Sequence, residues 1–203
     1  VLAAPDKYNR NAWDDDETND EQWPYRVKFS GTDLLGNVTI PEGDPTDLET
    51  SLEVSLDASS ESYPLHTFNL LNDGVMEKIA KAFKLQPSEI AGATLDAGTV
   101  KADGFSGPAE GKVAVGLTNP DGKVSYAYSA NGIGFWIAAD GTASSWGDAP
   151  IYYEYDASGY GLTVGHNPGH SEKSKTYIIK PTMVYNKGGK LHKAVITIKM
   201  KFA

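Results

Sequence analysis

The sequence predicts a mainly β chain, an antiparallel β-sandwich with one short helical insertion around residues 74–92. Three observations carry that expectation. Apolar residues alternate with polar ones through Leu52, Val54 and Leu56, and again through Ala194, Ile196, Ile198, Met200 and Phe202. A period of two gives a strand one dry face and one wet face. Asp121-Gly122, Asn131-Gly132 and Asp140-Gly141 punctuate the chain, and such pairs tolerate the positive φ that tight hairpins need. One stretch has a period of three to four instead: Val75, Met76, Ile79, Ala80, Ala82 and Phe83, with Glu77, Lys78, Lys81 and Lys84 opposite. That is the pattern of an amphipathic helix.

Taken in order, residues 1–24 are poor in apolar side chains and hold the run Asp14-Asp15-Asp16-Glu17. Such a segment buries too little to offset the entropy of ordering it. It is expected to be a flexible acidic leader in which Trp13 and Trp23 are the residues able to dock. A calcium site is the alternative for its acids, but blocks of like charge more often mark solvated tails. The β-sandwich domain is expected over 25–203. Its strands are expected at 26–29, 34–40 and 52–56, with a break between at Pro41 and Pro45, since proline lacks the donor a ladder requires. The helix has Asn72 or Asp73 as its expected cap. A second short turn begins at Pro87, a residue suited to a first helical position, and Gly92 suits its end. Further strands are expected at 112–117, 124–128, 134–138, 151–155, 161–165, 176–185 and 191–202. The last of these has Lys193, Thr197, Lys199 and Lys201 on its wet face.

Composition excludes several classes of function. The chain has 203 residues, enough to build a core without a staple. It has no cysteine, so disulfides, thiolate catalysis and zinc–thiolate sites are out. Its net charge of −9 argues against nucleic acid, whose phosphates demand clustered Lys and Arg. No apolar run is long enough for a membrane-spanning helix. The start at Val1, without methionine, is taken as a processed or trimmed one, with any export signal upstream. No cofactor is expected, and the oligomeric state is left open.

The chemistry-bearing residues concentrate in one stretch. Trp136, Trp146, Tyr152, Tyr153, Tyr155 and Tyr160 are interleaved with Asp140, Asp148, Glu154 and Asp156. A sugar offers an apolar C–H face and a rim of hydroxyls, which aromatic rings and carboxylates respectively accommodate. The expected ligand-binding residues are Trp136, Asp140, Trp146, Asp148, Tyr153 and Tyr155. On a strand, Tyr153 and Tyr155 share one face, and Tyr152 and Glu154 share the other. The competing structural account puts Trp136 and Trp146 in the core and the tyrosines along a sheet edge. Glycoside hydrolysis would require a second carboxylate beside Glu154, with Asp140 or Asp148 as candidates. No catalytic residue is assigned. His166 and His170 have a metal-like spacing, but Asn167-Pro168-Gly169 between them forbids a helix. Two solvated loop histidines are expected there, and no metal site.

Three further segments occur in a telling order. They are Ile79-Ala80-Lys81-Ala82-Phe83-Lys84-Leu85 with Ser88-Glu89-Ile90; Gly134-Phe135-Trp136 with Asp140-Gly141, Trp146-Gly147 and Tyr152-Tyr153-Glu154; and the run from Leu162 to Gly169. From about residue 75 to 203 the chain resembles domain of unknown function 4859, found in exported proteins of gut Bacteroidetes. The resemblance implies a surface-tethered, periplasmic or secreted protein of a polysaccharide-using bacterium, with any lipid anchor upstream of Val1. It implies no catalytic residue. Together with the aromatic stretch, it leads to the expectation of a non-catalytic module that binds poly- or oligosaccharide. The alternatives are a structural or adhesive surface protein with a protein partner and, third, a glycoside hydrolase.

Overall fold

The computed structural model describes residues 31–32, 39–40, 43–93, 99–100, 106–127 and 133–203. The chain divides into two compact units, 1–43 and 44–203. In the first, Gly31–Thr32 (β1) and Thr39–Ile40 (β2) pair antiparallel. The acidic leader, the strand expected at 26–29, residues 34–38 of the strand expected at 34–40 and the Asn131-Gly132 turn lie outside the described residues.

The second unit begins with Leu48–Leu56 (β3), Pro64–Asn69 (β4) and two helices, Val75–Phe83 (α1) and Pro87–Ala93 (α2). It continues through Thr99–Val100 (β5), Ser106–Gly107 (β6), Val113–Thr118 (β7), Val124–Tyr126 (β8), Gly134–Ile137 (β9) and Ala143–Ser144 (β10). Ile151–Asp156 (β11), Gly161–His166 (β12), Thr176–Ile179 (β13), Pro181–Lys187 (β14) and Lys190–Phe202 (β15) complete it. The mainly β expectation holds. One sheet has the order β10-β9-β11-β12-β4 and is antiparallel throughout. The other has the order β13-β15-β14-β7-β8, with β3 also on β15.

Strand β15 organises the second sheet. Its first half pairs with β14 and its second half with β13. Strand β3 departs from the expected antiparallel arrangement: it runs parallel to β15, from Leu48 beside Ala194 to Leu56 beside Phe202. Antiparallel neighbours are commonly joined by short hairpins. Here nearly the whole unit connects the two strands, and no turn dictates their relative direction. Along β15, Ala194, Ile196, Ile198, Met200 and Phe202 are buried, while Lys199 and Lys201 are exposed. Glu53 on β3 pairs with Lys201 across the wet face.

The dry faces of the two sheets meet. Their buried side chains form one cluster, to which Ile137, Ile151, Leu162 and Val164 contribute from one sheet and Val115, Leu117, Ile196 and Ile198 from the other. Specific side-chain contacts cross the gap. Tyr153 donates its hydroxyl hydrogen to the carbonyl of Gly116. The His166 ring, at the end of β12, stacks on Phe202 with centroids 5.8 Å apart. Helix α1 adds Val75, Met76, Ile79, Ala80 and Phe83 to the same cluster, and Phe83 meets Tyr185 at 5.6 Å.

Helix ends differ from expectation. The N-cap of α1 is Gly74, at φ 75°, with no side-chain cap; neither Asn72 nor Asp73 fills that position. The Asn69 carboxamide oxygen instead accepts from the Asn72 amide, tightening the preceding turn. Pro87 does open α2, and Glu89 accepts from the Gln86 amide, the reciprocal half of a capping box. The strand expected at 176–185 is broken at Lys180, giving β13 and β14. Thr182 donates to the Lys180 carbonyl at that break.

The alternation along β15 makes two substitutions diagnostic. Ile198→Ala is expected to destabilise the domain by about 2–5 kcal/mol, the range for emptying a fully buried branched side chain. Lys199→Ala, one residue on, is expected to stay within about 0.5 kcal/mol. Urea denaturation of both variants measures the contrast.

Candidate functional site

Strand β11 positions the site, because consecutive residues on it point to opposite faces. Tyr153 and Tyr155 point inward; their relative exposures are 0% and 5%. They are core residues and present no ring to solvent, which corrects the expectation that they line a ligand shelf. The Tyr153 hydroxyl is committed to Gly116. Tyr155 Oη is buried without a hydrogen-bond partner. Burial pushes both phenols well above their ordinary pKa.

The opposite face of β11 carries Tyr152, which its neighbours cover to 6% exposure, and Glu154, which is exposed. Register places Trp136 of β9 beside Tyr152, and Gly165 of β12 on its other side. The rings of Trp136 and Tyr152 lie 4.9 Å apart at 48°. Tyr63, just before β4, meets Trp136 edge-on at 6.2 Å and 81°. Three aromatic side chains thus form a corner on the outer face of the sheet. Next to it is a cleft of about 100 Å³ lined by Ile133, Gly134, Phe135, Trp136, Tyr152, Tyr153 and Glu154.

Two strand glycines make this corner. A β-carbon on Gly165 would stand 2.6 Å from Cε1 of Tyr152 and overlap the Tyr63 carbonyl. Hydrogen there lets the Tyr152 ring lie across β12. At Gly134 a β-carbon would overlap the Tyr153 carbonyl and stand 3.0 Å from Cα of Glu154, so glycine lets β9 close upon β11 at the cleft. Loss of water around the Tyr152 hydroxyl, reinforced by the Glu154 carboxylate, pushes its pKa up to about 12.

The other expected residues lie apart from this corner. Trp136 is half-buried on the outer face, and Trp146 is 58% exposed in the loop 145–150; neither is a core aromatic. That loop is anchored by Asn167, whose carboxamide donates to the Trp146 carbonyl and whose amide donates to the Pro150 carbonyl. Asp148 is exposed in the same loop. Asp140 is a turn former: it accepts from the Thr142 amide, which holds its carboxyl below the usual range. Asp57 and Asp156 make the same turn with Ser59 and Ser158.

His166 also differs from expectation. It is fully buried, with Nδ1 2.6 Å from Ser171 Oγ, while His170 is exposed. The pair is therefore not two solvated loop histidines: β12 extends one residue further than its apolar pattern indicates and carries His166 into the gap between the sheets. Tyr63 escaped the sequence reading because β4 has no clean alternation. Gly134 and Gly165 carried a usable signal, since glycine within a strand marks close approach of a ring or another backbone.

Comparison with known proteins places these residues within one family span. A family model described as "Domain of unknown function (DUF4859)" matches residues 62–190, a stretch that holds the whole aromatic corner. A second, described as "Family of unknown function (DUF6055)", matches residues 1–36. No curated protein and no solved structure matches the chain.

Two measurements test this geometry. Tyrosines with a raised folded pKa bind their protons more tightly than the unfolded chain does, whose phenols ionise near about 10. Stability is therefore expected to be complete below about pH 10 and to fall as pH rises toward 12 through the range set by Tyr152. Denaturation midpoints across that range, with tyrosinate absorbance in parallel, report it. Gly165→Ala is expected to cost about 1–3 kcal/mol through overpacking and to change the near-ultraviolet circular dichroism of the Trp136–Tyr152 pair.

Proposed function

Since this chain belongs to the DUF4859 family, whose description names no activity, we propose from its site that it is a non-catalytic glycan-binding module. The ligand sits on the outer face of the β10-β9-β11-β12-β4 sheet. The observation that carries this reading is the corner of Tyr63, Trp136 and Tyr152 beside the Glu154 carboxylate. The Tyr63 and Trp136 rings, backed by the covered ring of Tyr152, supply faces for the apolar side of a pyranose, and the carboxylate accepts from its hydroxyls. The rings are tilted rather than coplanar, and the cleft is far smaller than a drug-sized pocket. Both features suit one or two sugar residues of a soluble chain better than a flat crystalline surface. Trp146, on its anchored loop, supplies a second, separate stacking point, with Asp148 beside it.

The same proposal sets the module on the surface of a polysaccharide-using Bacteroidetes cell or in its secreted fraction. The ordered motifs that resemble exported proteins of that group support this setting.

Affinity electrophoresis through gels containing soluble plant and host polysaccharides tests the binding. The expected result is retention by at least one of them. Trp136→Ala and Tyr63→Ala should each weaken retention about ten-fold, the equivalent of one lost stacking contact. Trp146→Ala should weaken it less and leave thermal stability unchanged. Absence of retention across the panel would sink the proposal.

A further inference from the structure

The two sheets differ in charge. None of the residues of β4, β9, β10, β11 and β12 is Lys or Arg, and their only acids are Glu154 and Asp156. The lysines of the strands belong to the opposite sheet, with Lys187 on β14 and Lys190, Lys193, Lys199 and Lys201 on β15. Of the two acids, Asp156 is committed to a turn with Ser158. Glu154 is exposed, lines the cleft, and stands next to Tyr152 on the strand that positions it.

Resting on the glycan-binding reading, we infer that this site takes glycans free of carboxylate and sulfate groups, and that Glu154 is the specificity-determining residue that excludes acidic ones. An acidic sugar laid against the Trp136 ring at the cleft would bring a second negative charge beside the Glu154 carboxylate. No guanidinium or ammonium on these strands is there to offset it. Like charges at contact distance repel, and the repulsion grows where rings displace water. A neutral or amino-bearing sugar incurs no such cost and can donate hydrogen bonds to the carboxylate, which strengthens them because the acceptor is charged. The raised pKa of Tyr152 agrees with this, since its hydroxyl already feels the same carboxylate in a partly dehydrated setting.

The test uses matched pairs of polysaccharide in affinity electrophoresis: hydroxyethylcellulose, galactomannan, dextran and soluble starch, each against its carboxymethylated form. The full chain is expected to be retained by at least one neutral polymer and to bind the carboxymethylated form at least about five-fold more weakly. Glu154→Gln should narrow that gap to less than about two-fold, and Glu154→Lys should reverse the preference. Glu49→Gln changes net charge equally but lies on the other sheet, on β3, and should leave the gap unchanged. Thermal melts confirm that each variant is folded. Equal retention of neutral and acidic forms, or a gap that responds to Glu49 as much as to Glu154, would overturn the inference while leaving glycan binding intact. No retention on any neutral polymer would overturn the binding reading itself, and this inference with it.

Discussion

The alternation of side chains along β11 is the constraint on which the site depends. Successive residues of a strand cannot share a face, so the inward commitment of Tyr153 decides where its neighbours go. That commitment is firm. The ring is fully buried, and its hydroxyl is tied to the Gly116 carbonyl of the facing sheet. A slip of one residue would bury the Glu154 carboxylate among apolar side chains and expose two large phenols. Tyr152 and Glu154 are therefore outward because Tyr153 and Tyr155 are inward. The aromatic corner is assembled from the side of the strand that the core did not take.

What the core leaves on the outer face is shaped by the neighbouring strands. Register sets Trp136 on one side of Tyr152 and Gly165 on the other. The missing β-carbon at Gly165 lets the Tyr152 ring cross β12, and Tyr63 closes the corner. Asn119 holds this sheet to its partner near the far edge. Its carboxamide oxygen accepts from the Ala143 amide of β10, and its nitrogen donates to Lys123 and Ser125 in the β7–β8 hairpin. The site thus rests on strands anchored both through the core and at an edge, which suits a preorganised binding surface.

The charge distribution follows from the same layering. Strand β15 has neighbours on both sides and a wet outer face, where Lys199 and Lys201 stand opposite Glu53 of β3. Exposed pairs of this kind contribute little to stability, but they keep a long apolar strand soluble. The sheet bearing the aromatic corner has no such lysines and offers hydroxyls, glycines and two acids instead. One sheet of the sandwich therefore has an outer face with charges in pairs, and the other an outer face without lysine, where we propose that an uncharged, hydroxyl-rich ligand docks.

From the sequence alone, local periodicity determined the strands with one wet face, the amphipathic helix at Val75–Phe83 and the Asp-Gly turns at 121–122 and 140–141, because each of these is written in neighbouring residues. It also determined that Tyr152 and Glu154 must oppose Tyr153 and Tyr155. Only the tertiary structure decided which of those two faces is core, since alternation is symmetric until a second sheet covers one side. Tertiary structure likewise brought Tyr63 to Trp136 across 73 positions of chain, set β3 parallel to β15, and drew His166 into the gap against Phe202. Contacts between residues distant in sequence leave no periodic trace; they arise from register and closure, which exist only once the sheets have paired.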